Sequence, residues 1–439
     1  MGNQVVFGTS VINNDPPNIN SAVVSFPGKT LREAHGFNIN EDILSKHILL
    51  LGGSGCGKTN AFFYVLRDLR ASMGKNDIAI IFDTKGEFYQ KFSHPGDIVI
   101  GNGGNFRQIS HTWNVFGEVL ADGWEDGRIL MNVREISAAL FHGRGSSTQP
   151  FFCNAARDIF AGVLLHFIRQ AQRDPENWKM NLNNKDLLNA FRTFRVEHYL
   201  RIFNHYPDMR YMLSYFGDGK SNQALGVFGE LNSMLAEYFV GVLADYDPVR
   251  SLSMRQAVRN KDAKAIFVEY DLSMGEVLTP VYRLLVDQAL KEALSRENSM
   301  GNVFLIADEF KLLPKLQHID DALNFGRGLG VKVIAGIQSI DQLYDIYGKD
   351  KGSVIASGFG SLFAFHTNDG SSRDYITKRF GANIVAYDYA NVQRNSIIER
   401  ERDGNTVEEW DQLQLGLGEA VVGLGYAAPF LFQFAKYES

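Results

Sequence analysis

The run Gly52-Gly53-Ser54-Gly55-Cys56-Gly57-Lys58-Thr59 has the form GxxxxGK[ST], a spacing whose chemistry is the binding of phosphate. Glycines let backbone N–H groups turn inward around phosphate oxygens. Lys58 would reach the β- and γ-phosphates of a nucleotide, and the Thr59 hydroxyl would ligate Mg²⁺. An apolar run, His47 to Leu51, precedes the loop, and a helical pattern from Asn60 to Met73 follows it. That strand–loop–helix order separates a nucleotide-binding loop from a glycine-rich turn with a solvated lysine. The expected nucleotide-contacting set is Gly53, Ser54, Gly55, Cys56, Gly57, Lys58, Thr59 and Asn60, with ATP and Mg²⁺ as the cofactors.

A second constellation lies far downstream. Val303 to Ala307 reads as an apolar strand that delivers Asp308 and Glu309 at its C-terminal end, the edge where open α/β sheets bind ligands. The first acid suits a Mg²⁺-bound water, and the second suits polarisation of the water that attacks the γ-phosphate. An acid pair after a strand is also common as plain surface; the upstream loop is what gives this one a function. Gln338 follows the strand Val331–Gly336 and is placed to reach the γ-phosphate or the attacking water. Arg327, between Gly326 and Gly328, reads either as a capping residue or as a finger to a neighbouring subunit's nucleotide.

These residues need elements to hold them. The chain has 439 residues, 45% hydrophobic and 21% charged, with 32 Phe and 17 Tyr, enough for a sizeable core. Two cysteines give no disulfide framework, and the ten scattered histidines show no zinc spacing. The net charge of −6 gives no overall basic footprint, so a nucleic-acid partner would need a local basic lining. The nearest such cluster is Arg250, Arg255, Arg259, Lys261 and Lys264, whose ordinary reading is a solvated helix face. The strongly apolar stretches read as too short for a membrane span, and no secretory leader is visible, so a cytoplasmic protein is expected.

Residues 1–45 read as a β-rich N-terminal segment, and 46–150 as the first part of an α/β core with short buried strands alternating with helices. Such alternation predicts a mainly parallel sheet flanked by helices. Residues 151–260 are dominated by helical periodicity and read as an all-helical insertion. From 261 to 439 the core resumes and ends in a strand-rich tail.

Taken in order, the loop, Asp83-Thr84-Lys85-Gly86-Glu87, Trp113-Asn114, Asp308-Glu309-Phe310, Arg327, Gln338-Ser339, Gln342-Leu343 and Tyr347-Gly348 resemble the TraG/TraD-type coupling proteins of conjugative type IV secretion. These belong to the wider FtsK/HerA class of ring-forming motor ATPases. The resemblance runs from about Ile48 to Gly381. It implies a RecA-like core with an all-helical domain, assembled as a homo-hexamer around a channel for single- or double-stranded DNA or a nucleoprotein. It maps the loop lysine onto Lys58, the Mg²⁺ and catalytic acids onto Asp308 and Glu309, the intersubunit arginine onto Arg327 and the γ-phosphate sensor onto Gln338. It also places Asp83 beside the nucleotide; Thr84 stands where many members carry proline. Members usually carry N-terminal membrane helices, which are not in this sequence: either a separate membrane protein recruits it to the inner face of the membrane, or it works away from a secretion channel, or that segment is missing from the sequence. A nucleotide-gated receptor for a relaxase or effector protein, and a soluble translocase in repair, packaging or defence, are the alternative readings.

Overall fold

The computed structural model describes residues 4–144, 150–216, 221–273, 275–295, 300–391 and 396–438. The chain groups into two compact units. One comprises Met1–Pro95, Asp262–Ala265 and Ala293–Ser439; the other comprises Gly96–Lys261 and Ile266–Glu292.

The first unit is built on a sheet whose central strands are parallel. Side by side lie Ser361–Phe365, Ile48–Leu51, Val331–Ile337, Val303–Ala307 and Ile78–Asp83. Every residue of these strands is buried, as expected for strands covered on both faces. Their register decides where function can sit. Ala307 pairs with both Phe82 and Ala335, and Leu51 pairs with both Ile337 and Ala364. The residues that follow these strands therefore emerge together along one edge.

The strand-rich tail completes this sheet. Glu419–Gly423 adds antiparallel to Ser361–Phe365, then Phe430–Phe434 and the short strand Gly28–Lys29 follow. In the N-terminal segment Val24–Phe26 pairs with Phe37–Ile39, and Phe26 stacks on Phe37 at 4.8 Å. Those rings pack edge-on against Phe363 and Phe434, so both chain ends share one aromatic core. The sequence reading had no place for the long hairpin Ala382–Asn391 with Ser396–Asn405, which Gln4–Phe7 joins as a third strand.

The second unit is mainly helical, with helices Asp126–Leu140, Pro150–Arg173, Asn184–Thr193, Val196–His205, Asn222–Tyr238 and Gly275–Ala293 among its elements. Pro150–Arg173 corrects one expectation. It is long and apolar enough by composition to cross a membrane, although 67% of its most apolar window is buried in the fold. Its apolarity serves a packed core.

The basic cluster also resolves differently from its reading as a solvated face. Arg255 is buried, and its guanidinium pairs with Asp122 at 2.7 Å and Glu292 at 3.0 Å. Arg259 binds the same two carboxylates at 3.0 and 2.7 Å. Glu118, fully buried alongside, accepts hydrogen bonds from the Met254 and Arg255 N–H groups, Ser253 Oγ and Trp113 Nε1. Burial opposes ionisation of Asp122, but hydrogen bonds from Asn132, Arg255 and Arg259 outweigh it and hold the carboxyl well below its usual range.

Breaking a buried network strands its remaining charges. Arg255→Ala should cost about 2–3 kcal/mol in chemical denaturation, because buried Glu292 loses one of its two guanidinium partners and keeps only Arg259. Because the folded-state pKa of Asp122 is depressed, its contribution is complete at neutral pH. It is lost as pH falls below the unfolded carboxyl range, so Asp122→Asn should flatten the acid limb of the stability–pH curve.

Candidate nucleotide site

The apolar strand Ile48–Leu51 ends at the glycine-rich loop, and the helix Lys58–Ser72 starts directly after it. Gly57, at φ +114°, makes that turn. A Cβ there would also meet Gly418 Cα at 2.9 Å, so glycine is required on two counts. The Lys58 ammonium folds back onto its own loop, donating to the Gly52 and Gly53 carbonyls at 2.6 and 2.9 Å. These carbonyls hold it in the position from which it can turn to phosphate.

The acid pair lies opposite. Thr59 Oγ1 donates to Asp308 Oδ2 at 2.7 Å across 249 positions of sequence. Gln338 Nε2 donates to Glu309 Oε2 at 2.8 Å, while Glu309 Oε1 is buried with no partner. Burial pushes the Asp308 carboxyl up, against the Thr59 hydrogen bond and the charges of Lys58 and Lys85. Between these groups and the loop lies a cavity of about 250 Å³ that Ser54, Gly55 and Gly57 line from the loop side. A hydroxyl and a carboxylate in contact form a hard oxygen donor pair of the kind that suits Mg²⁺ with phosphate oxygens.

Not every expected residue faces this cavity. The Asn60 side chain is engaged by the C-terminal tail, donating to the Ala435 carbonyl at 2.8 Å and accepting from Tyr437 N–H at 2.7 Å. Asp83 is buried and caps its own turn, accepting from the N–H groups of Lys85, Gly86 and Phe88 at 2.9, 3.0 and 2.8 Å. Arg327 lies on the turn Gly326–Leu329, exposed, and pairs with Asp42 at 2.8 Å. Cys56 and Gly53 line a second cavity of about 310 Å³, together with His366, Asn368 and Leu415–Leu417. Burial raises the Cys56 thiol pKa despite the neighbouring Lys58 charge.

Sequence reasoning missed the walls of that second cavity. The Leu415–Gly418 turn is pinned to the loop by the Gly418 N–H, which donates to the Cys56 carbonyl at 2.9 Å. Gly53 N–H donates to the His366 carbonyl at 2.9 Å. Both bonds are main-chain, and no side-chain motif announces them. Adjacency of the Ser361–Phe365 strand to the loop strand was the available signal. A larger cavity, about 510 Å³, lies between Lys29–Ala34 and the tail and includes neither the loop nor the acid pair.

A parallel sheet with a phosphate loop after one strand and an acid pair after another defines a RecA-like P-loop fold. The chain belongs to the family described as the type IV secretion-system coupling protein DNA-binding domain, whose model matches residues 33–414. It is 22% identical over 308 residues to the coupling protein TraD of Escherichia coli (strain K12), covering 69% of this chain and 39% of that relative. It is 22% identical over 332 residues to the conjugal transfer protein TraG of Escherichia coli, covering 70% and 51%. The chain thus spans about half or less of the length of these relatives. Among solved structures it is similar to the bacterial conjugative coupling protein TrwBdeltaN70 in complex with sulphate, with a TM-score of 0.72 at 17% identity over 100% of this chain and 95% of that one. Plasmid coupling protein TrwB in complex with the non-hydrolysable ATP analogue ADPNP gives 0.69 at 18% identity, over 99% and 94%.

The two Asn60 bonds separate a tail anchor from a nucleotide ligand. Asn60→Ala should lower stability by about 1–2 kcal/mol and speed proteolysis of the last residues, with ATP affinity changed less than about twofold. Limited proteolysis and calorimetric titration check both halves.

Proposed function

We propose that this chain is the ATP-hydrolysing core of a ring motor that moves DNA or a nucleoprotein in conjugative type IV secretion. The observation that carries the proposal is the meeting of Lys58 and Thr59 with Asp308, Glu309 and Gln338 around one cavity. The family to which the chain belongs supports the DNA-directed part; similarity to TrwB, whose structures include complexes with ATP and GTP analogues and with ADP and Mg²⁺, supports the nucleotide-binding part.

In this reading Lys58 leaves the Gly52 and Gly53 carbonyls and binds the β- and γ-phosphates. Loop N–H groups and the start of the Lys58–Ser72 helix complete the cradle. Thr59 and Asp308 would hold Mg²⁺, which would supply charge neutralisation at the phosphates. Glu309 polarises the attacking water, and its bond from Gln338 fixes the orientation of that carboxylate. The second cavity, with apolar Leu415 and Leu417 beside polar His366 and Asn368, takes the nucleoside.

Arg327 is proposed to act on a neighbouring protomer's nucleotide in a homo-hexamer. It stands outside its own cavity and its Asp42 partner is exposed, so little opposes its release. The translocated substrate is DNA, single- or double-stranded, with a relaxase or effector protein as the attached cargo, and the membrane is reached through a partner protein from the cytoplasmic side. The helical stretch 151–260 is kept as the module facing the substrate. Buried Arg255 and half-buried Arg259 are both committed to Asp122 and Glu292, which argues against either as a DNA contact.

Lys58→Ala should abolish ATP turnover. Glu309→Gln should retain ATP binding while lowering kcat by about 10²-fold or more. Steady-state hydrolysis by Lys58→Ala at the native rate would refute the site. Arg327→Ala should lower kcat by about 10³-fold in assembled rings without altering nucleotide affinity. Asp42→Ala should not do so. DNA-stimulated turnover, measured beside particle size by light scattering, separates the motor from a nucleotide-gated receptor.

A further inference from the structure

We propose that Lys85 is a second phosphate-binding cation, presented from the turn after the Ile78–Asp83 strand, that reads the terminal phosphate of a nucleoside triphosphate. The inference rests on the nucleotide site proposed above and assigns a specificity role within it.

The fold brings Lys85 there by register. Ile78–Asp83 runs parallel to Val303–Ala307 with Phe82 opposite Ala307, so the turns after the two strands are neighbours. Asp83 then fixes the shape of the turn: its carboxylate accepts the Lys85 and Gly86 N–H groups through one oxygen and the Phe88 N–H through the other. Gly86, at φ +72°, allows that closure. The buried acid thus presents a lysine instead of touching the ligand itself.

The Lys85 side chain lines the same cavity as Lys58, Asp308, Glu309 and Gln338. Among the described residues its ammonium is committed to no salt bridge. A triphosphate entering beside two carboxylates brings more negative charge than Lys58 and Mg²⁺ together would neutralise. Lys85 adds charge to the cavity that Glu309 and Gln338 also line, where the bond to the γ-phosphate would be attacked. A diphosphate would lack the group that this charge meets.

The test compares ADPNP with ADP, each with Mg²⁺, by calorimetric titration of the full chain and its Lys85→Ala and Lys85→Arg variants. Lys85→Ala should weaken ADPNP by about 10-fold, equivalent to about 1.4 kcal/mol. ADP should change less than about twofold, and Lys85→Arg should recover most of the loss. Equal weakening of both nucleotides, or no weakening of either, overturns the assignment while leaving the nucleotide site intact. Native protein that binds neither nucleotide overturns the site, and the role of Lys85 with it. Thermal melts of both variants, expected to match the native chain, exclude a folding defect as the cause.

Discussion

Parallel register is the constraint on which everything else depends. The loop strand and the acid-bearing strand flank Val331–Ile337, and the pairs Leu51–Ile337 and Ala307–Ala335 bring their C-terminal ends to the same edge of the sheet, two residues apart in register. That alignment lets a hydroxyl and a carboxylate 249 positions apart meet at 2.7 Å. A one-residue slip in any of these strands would turn the buried faces over and carry the end residues out of line. The unbroken burial of the strands is thus what fixes the site.

The same edge organises residues that carry no catalytic chemistry. Gly418 packs on Gly57, Asn60 binds the tail, and the His366 carbonyl holds Gly53. The C-terminal segment is therefore part of the wall around the loop. Movement of the tail and movement of the loop are mechanically linked through main-chain hydrogen bonds, which tolerate changes of side chain but not of backbone path.

Legibility in the sequence followed the range of the interactions. The glycine-rich loop could be read because its chemistry is encoded in eight consecutive residues, Gly52 to Thr59, and the acid pair because an apolar strand announces it. Asn60 was assigned to the ligand by proximity to Lys58 alone, and Asp83 by resemblance; their partners are backbone groups that a sequence does not display. Arg255 and Arg259 resembled a solvated face because their carboxylates, Asp122 and Glu292, lie remote in the chain. The Leu415–Gly418 turn left no signal, since its bonds to the loop involve no distinctive side chain.

The central claim is that a triphosphate binds between the loop and the acid pair. An experimental structure with a non-hydrolysable ATP analogue and Mg²⁺ tests it most directly. The account predicts the Lys58 ammonium released from the Gly52 and Gly53 carbonyls and bound to phosphate, with the terminal phosphate facing Glu309. Analogue bound elsewhere on the chain, with the lysine still on its loop carbonyls, would contradict it.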